Sequence, residues 1–265
     1  MLLKEEKVVR AFNTLREYFE ILKRQREQSA LAEEKVLNLI EDNLKGNILD
    51  AGCGEGSLCG WMAEKSKSAT IYGMDISTIG IDMAMKNFTG LDNLKFCQAN
   101  IKNLPFKDNF FSLIVCQSVI EHVVDYIEAL KELVRALRRG GNLILRAGNN
   151  RLPGQSNFSF LLGCVFGRNR SLQINPSLTL RPGSIEDHRH NFDVNVIPSD
   201  VLVRQLKQLG LKVVYFTTRR CQIKSSDKYK DFGIFKKWII NTLCALPFFP
   251  FTHLGGTTVI MARKP

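Results

Sequence analysis

Apolar residues recur along this 265-residue chain with two different periods, and the two alternate. At the front, Val8, Val9, Phe12, Leu15, Phe19 and Leu22 fall three or four apart with charges between them, which predicts an amphipathic helix. A second helix is predicted from Ala30 to Leu44, with Ser29 as its N-cap and Gly46 just past its end. Short apolar runs then predict strands at 48–50, 70–74, 94–98, 112–116 and 142–145, with helices at 57–65 and 78–88. The strongest helical period is carried by Ile120, Val123, Val124, Ile127, Leu130, Leu133, Val134 and Leu137. It reads as one long helix that Arg138-Arg139-Gly140-Gly141 ends. Repeated strand–helix–strand units imply right-handed crossovers and a mostly parallel sheet with helices on both faces.

Past residue 147 the pattern loosens. Residues 148–197 are rich in Asn, Gly, Pro, Ser and Arg and read as an insertion or lid. A helix at 199–209, then Gly210, a strand at 211–216 and a last strand at 257–262 restore the alternation. Between them, 222–254 forms a second, partly apolar insertion. Its 238–254 portion lacks Lys, Arg, Asp and Glu, but Asn241, Pro247, Pro250 and His253 interrupt it, so no spanning helix is expected. It reads as lid or core, or as a cap at 236–254 making peripheral membrane contact behind Lys236 and Lys237. The expected organisation is a single domain over 1–265. It comprises N-terminal helices at 1–45, a core at 46–147, a lid at 148–197 and the rest of the sheet at 198–265.

Charge changes this picture more than composition does. Residues 1–45 carry 9 basic and 9 acidic side chains, and 46–150 carry 11 of each. Residues 151–265 carry 17 and 6, so the net charge of +11 resides entirely in the rear. A neutral front and a basic rear predict that the rear meets something anionic. Seven scattered cysteines without a C-x-x-C pair exclude a zinc ribbon or redox dithiol and read as free thiols in a reducing cytoplasm. The start, Met1-Leu2-Leu3-Lys4-Glu5-Glu6-Lys7, is unlike a secretory leader, so a cytoplasmic location is expected.

The chemistry concentrates in Asn47-Ile48-Leu49-Asp50-Ala51-Gly52-Cys53-Gly54-Glu55-Gly56. Three alternating glycines between a predicted strand and helix allow a tight turn and close backbone approach. Free N–H groups at the helix start can then hold an anionic group. Asp75, 23 residues past Gly52 at the end of the next strand, can accept hydrogen bonds from ribose hydroxyls. The dinucleotide fingerprint G-x-G-x-x-G fits less well, because Ser57 stands where its third glycine would be.

Further segments fall in order behind this loop: Gly73-Met74-Asp75-Ile76-Ser77, the run from Phe96 to Phe106 ending Leu104-Pro105-Phe106, Phe111 to Cys116, Ile120-Glu121-His122-Val123, and Leu137 to Gly141. Together they resemble the motifs of class I S-adenosylmethionine-dependent methyltransferases, in the type 11, quinone-biosynthesis-like small-molecule branch. The resemblance is close over 46–147 and looser beyond. It implies a Rossmann-like α/β fold with a mostly parallel seven-stranded sheet, and S-adenosylmethionine as the cofactor. It also implies roles. Gly52, Gly54 and Gly56 would hold the methionine part. Asp50 would steady the loop near the cationic groups, and Asp75 would take the ribose hydroxyls. Ile76, Asn100 and Ile101 would line the adenine pocket, and Cys116 and Gln117 would close the methyl-bearing end. Position 100 carries Asn where the family has an acid, but its amide can still accept a hydrogen bond. Arg139 replaces the family's usual Pro.

A hydroxyl or amine acceptor benefits from a general base with a pKa near neutrality. His122 follows the fourth predicted strand, and His188 and His190 stand in Asp187-His188-Arg189-His190-Asn191-Phe192, ahead of helix 199–209. These three are the candidate catalytic residues, and His253 reads as structural. The quinone-methylating branch can bind a divalent metal through a Glu-x-x-Glu-His cluster. Here Ser118 replaces the first acid, and the His188/His190 pair lacks a third ligand, so no metal is expected. The expected activity is methylation of a small, anionic or lipid-linked acceptor. A transfer-RNA methyltransferase and a non-catalytic cofactor-binding protein are the alternatives, with nucleic acid the less favoured partner because the basic residues are dispersed rather than interleaved with aromatics.

Overall fold

The computed structural model describes residues 30–148, 197–219 and 257–265. The helix expected at 8–22, Ser29, both insertions, His188, His190 and His253 lie outside the described residues. The described elements are α1 (Ala30–Glu41), β1 (Gly46–Ala51), α2 (Ser57–Lys65), β2 (Ala69–Asp75), α3 (Thr78–Asn87), β3 (Leu94–Gln98), β4 (Phe111–Gln117), a 3-10 turn (Ile120–His122), α4 (Tyr126–Ala136), β5 (Leu137–Gly148), α5 (Ser199–Gln208), β6 (Lys212–Arg219) and β7 (Thr257–Arg263).

The seven strands form one sheet in the order β3-β2-β1-β4-β5-β7-β6. β1 to β5 run parallel, and β7 is antiparallel to both β5 and β6. The inner strands show why. Residues 48–51 of β1 and 111–116 of β4 are buried without interruption, as expected of strands covered on both faces. Alternate side chains feed two cores. Leu49, Ile114, Leu143 and Leu145 face α4 and α5, while Ile48, Leu113, Val115 and Ile144 face α1 and α2. From α4, Ala129, Leu130, Leu133 and Ala136 are buried on one stripe; truncating Leu133 to Ala would cost about 2–5 kcal/mol. Chain order reverses between β1 and β4, so the carboxyl ends of these two strands flank the crevice where open α/β sheets hold ligands.

Three local expectations are corrected. The long helix over 120–137 is broken: a 3-10 turn at Ile120–His122 is followed by Val123 in extended conformation (φ −90°, ψ 123°), and α4 starts only at Tyr126. Ser118, with φ +53°, turns the chain out of β4 first, so Ile120 and Val123 reach the core from a loop rather than from a helix face. Likewise 138–141 does not merely end a helix. Leu137 is already extended, and β5 runs from it to Gly148. Gly140 takes φ +70°, its N–H donating to the Lys264 carbonyl, and the Lys264 N–H donates to the Gly141 carbonyl. The N-terminal helix also stops earlier than expected, at Glu41; Gly46, at φ +70°, opens β1.

Candidate functional site

Between β1 and α2 the chain takes the left-handed conformation three times in five residues. Gly52, Gly54 and Gly56 have φ of +88°, +55° and +85°. Side chains other than glycine's pay steric strain there. At Gly52 a second constraint applies, since an added Cβ would stand 2.2 Å from Cγ2 of Val119. At Gly56 it would meet Ala84 and Phe96 at 2.9 Å. The loop therefore lies flat against the segment after β4 and against α3.

The loop is also tied to the end of β2. The Gly52 and Cys53 N–H groups both donate to the Met74 carbonyl, at 2.7 and 3.0 Å. The Gly54 N–H donates to Oδ2 of Asp75 at 2.9 Å, and the Ser77 N–H to Oδ1 at 2.8 Å. Asp75 is thus clasped between the glycine loop and the start of α3, which Ser77 caps by accepting from the Gly80 N–H. Burial raises the Asp75 carboxyl above its ordinary value; the amides of Ser77, Gly54 and Ile76 pull it back, and the nearby Glu55 adds to the rise. These amides take up part of the carboxylate's acceptor capacity and leave room for a further donor.

Beneath the loop sits a second acid. Asp50, 3% exposed, accepts from the Cys59 thiol at 3.3 Å, and Cys59 is hydrogen-bonded to Cys53. That bond to Cys59 lowers the Cys53 pKa, but burial and the charges of Asp50, Asp75 and Glu55 outweigh it and push the thiol up to about 11. Burial likewise drives Cys59 and Cys116 well above the ordinary thiol range. All three stay protonated at neutral pH and act as donors and packing groups rather than nucleophiles. Glu55 is fully buried and accepts from the Ser57 hydroxyl at 2.7 Å. This end of the sheet therefore buries acids: Asp50, Glu55 and, past β4, Glu121.

The remaining expected residues spread around the same end. Ile76, Asn100 and Gln117 are half-buried, whereas Ile101 and Cys116 are buried within the core. The Asn100 side-chain oxygen accepts from the Lys102 N–H at 2.9 Å, fixing the turn after β3, and the Ala99 N–H donates to the Asp75 carbonyl. His122 is half-buried on the 3-10 turn, within the same segment as Val119. Among the described residues no cluster of three or more His, Cys, Asp or Glu could hold a metal ion. No described helix is long and apolar enough to cross a membrane.

Three contributors escaped the sequence reading. Val119 covers Gly52. Cys59 supplies the donor to Asp50; its place on α2, one turn past the loop, carried the only available hint. Glu121, named above as part of a motif and of an incomplete metal cluster, accepts from the Gly148 N–H at 3.0 Å and so fixes the end of β5 where the first insertion departs.

Comparison with known proteins agrees with this geometry. The profile of a methyltransferase domain family matches residues 49–145, the stretch from the glycine loop to β5. An uncharacterised protein of Methanocaldococcus jannaschii is 40% identical over 103 residues, covering 37% of this chain and 39% of that protein. A demethylmenaquinone methyltransferase of a Geobacillus species is 27% identical over 151 residues, covering 53% of this chain and 62% of that one. The chain thus spans less than two thirds of the length of either relative. Among solved structures, an S-adenosylmethionine-dependent methyltransferase from Mesorhizobium loti superposes with a TM-score of 0.57 at 16% identity, covering 89% of this chain and 99% of that one. At that identity the likeness establishes the fold, which is the Rossmann-like class I methyltransferase architecture.

Proposed function

We propose that the whole chain is an S-adenosylmethionine-dependent methyltransferase acting on a small, anionic or lipid-linked acceptor, from the premise that residues 49–145 match the profile of a methyltransferase domain. One observation carries the reading: the left-handed glycine loop, hydrogen-bonded onto Met74 and Asp75 at the topological switch of the sheet. The donor set suits the cofactor. Its ammonium and sulfonium are cationic, and Asp50 and Glu55 are acids buried under the loop. Its ribose offers hydroxyl donors, and Asp75 keeps free acceptor capacity beside the loop. In this reading Gly52, Gly54 and Gly56 let the backbone approach the methionine part. Asp50, steadied by Cys59, biases the loop toward positive charge. Ile76 and Asn100 flank the adenine, Ile101 backs it from the core, and Cys116 and Gln117 close the methyl-bearing end.

Bound S-adenosylmethionine would supply a methyl carbon made electrophilic by its sulfonium. The chain's own part is to align an acceptor in line with that carbon, exclude water and take the acceptor's proton. His122, on the turn beside Gln117, and His188 and His190 are the proposed proton acceptors. The acceptor class rests on two supports. The basic excess lies in residues 151–265, and a relative is named for acting on demethylmenaquinone. A panel of polyprenyl quinols, polyprenyl phosphates and unmodified transfer RNA, assayed with methyl-labelled cofactor, tests it. Label transferred to a quinol or polyprenyl phosphate is the expected result. Label found only in RNA would overturn the acceptor class, and cofactor binding without turnover on any acceptor would favour a non-catalytic role.

A further inference from the structure

The opposite end of the sheet has an opening of its own. Lys45, Gly46, Asn47, Phe110, Ser112 and Arg138 line a cleft of about 400 Å³. They come from the amino ends of β1, β4 and β5, while the glycine loop leaves the carboxyl end of β1. Six residues of strand, at about 3.3 Å each, set the two sites roughly 20 Å apart. The cleft is therefore separate from the site described above.

Its polar floor is already satisfied. The Ser112 hydroxyl is engaged by the Lys45 and Asn47 carbonyls, and the Asn47 amide donates to the Phe110 carbonyl at 3.4 Å. Its cations are not. Lys45 and Arg138 are exposed, and neither makes an ion pair among the described residues. Neighbouring charges behave differently. Arg135 holds Glu132 and Asp108 at 2.8 and 2.7 Å. Lys264 spends its ammonium on Asn109 and the Val134 and Leu137 carbonyls. Beside the cleft, Lys107 lies 5.7 Å over the Phe110 ring, and Arg139 follows Arg138 at the surface.

Two unneutralised cations on an aromatic wall, in a volume within the range of small-ligand sites, match one chemistry well. The planar fork of guanidinium N–H donors fits two oxygens of a phosphate, and an ammonium adds a second point charge. We propose that this cleft binds a small phosphate monoester, with the phosphate between Lys45 and Arg138 and the organic body against Phe110. A soluble phosphate ester and the headgroup of a lipid share that chemistry.

Calorimetry on the full chain at low salt tests it, with phenyl phosphate and inorganic phosphate as soluble probes, and flotation with vesicles of phosphatidic acid in phosphatidylcholine as the lipid probe. Phenyl phosphate is expected to bind more tightly than inorganic phosphate. Its affinity should fall at least tenfold in Lys45→Gln and in Arg138→Gln, and survive in Lys45→Arg. S-adenosylhomocysteine should not displace it. Vesicle binding lost in the same variants, without binding of phenyl phosphate, would assign the site to a lipid headgroup. Both side chains are exposed, so unchanged melting temperatures are expected and a binding loss would report on the site alone. The proposal is overturned if folded protein binds neither probe, if Arg138→Gln binds unchanged, if S-adenosylhomocysteine competes, or if binding is confined to transfer RNA.

Discussion

The two ends of one sheet differ in kind. At the carboxyl ends of β1, β2 and β4, acids are held by their neighbours: Asp50 by Cys59, Asp75 by backbone amides including those of Gly54 and Ser77, Glu121 by Gly148. At the amino ends, cations are exposed, and Lys45 and Arg138 share a cleft without a described acidic partner. Residues 46–150 carry 11 charges of each sign and look neutral in sequence. The fold sets Asp50, Glu55 and Glu121 apart from Lys45 and Arg138. Strand termini alternate between the two ends of a parallel sheet, so charges adjacent along the chain are carried to opposite poles. The acidic pole suits a cationic cofactor and the basic pole suits an anion, and neither can be seen in a charge count.

The comparison can be broken most severely at Gly52. Gly52→Val combines a φ of +88° with a Cβ 2.2 Å from Val119. It is expected to abolish S-adenosylhomocysteine binding and to lower the melting temperature by several degrees. Adding Val119→Ala should recover part of the melting temperature, because it removes the clash and leaves the backbone strain; no recovery would show that the contact does not set the loop.

Glu121→Ala comes next. It leaves the Gly148 N–H without its carboxylate acceptor, at a cost of about 1–3 kcal/mol by chemical denaturation. An unchanged midpoint would remove Glu121 from the account of how β5 ends.

A smaller effect with a definite sign follows from Asp75. Its carboxyl is raised above its ordinary value of 3.8 by burial. The folded state then holds the proton more tightly than the unfolded state. Asp75's favourable contribution is complete below the unfolded pKa and is lost as pH rises through the folded one. Asp75→Asn cannot lose a proton, and its amide faces one backbone N–H at every pH. The stability difference between variant and parent should therefore move in favour of Asn as pH rises from about 4 to about 7. A slope of the opposite sign would mean that the Gly54 and Ser77 amides outweigh burial.

The smallest expected effect lies at the far pole. Arg138→Ala should change cofactor affinity by less than about 0.5 kcal/mol, as is usual for a remote surface site. A larger change would mean that the two poles are coupled.

Much of the local structure at the glycine-loop end was legible in the sequence. The strand, the glycines and Asp75 lie within about thirty residues, and each has a local reason to be what it is. Helix Ser57–Lys65 and strand Leu94–Gln98 match their expected bounds, because glycine turns and flanking polar residues mark both ends. The broken helix at 120–137 was not legible. Ile120 and Val123 keep a helical spacing by coincidence, and their burial is imposed by strands distant in sequence. Contacts such as Val119 over Gly52 and Cys59 under Asp50 depend on the crossover geometry, which no local pattern encodes. The basic cleft was hidden for the same reason, since Lys45, Phe110 and Arg138 meet only once the sheet is assembled.

The central claim is that the glycine-loop pole holds S-adenosylmethionine. Its most direct test is a calorimetric titration of S-adenosylhomocysteine into the full chain, its Asp75→Ala variant and its Arg138→Ala variant. Saturable one-to-one binding is expected for the parent and for Arg138→Ala, with a loss of at least tenfold in folded Asp75→Ala. Absence of binding to the folded parent, or equal binding to Asp75→Ala, would contradict it.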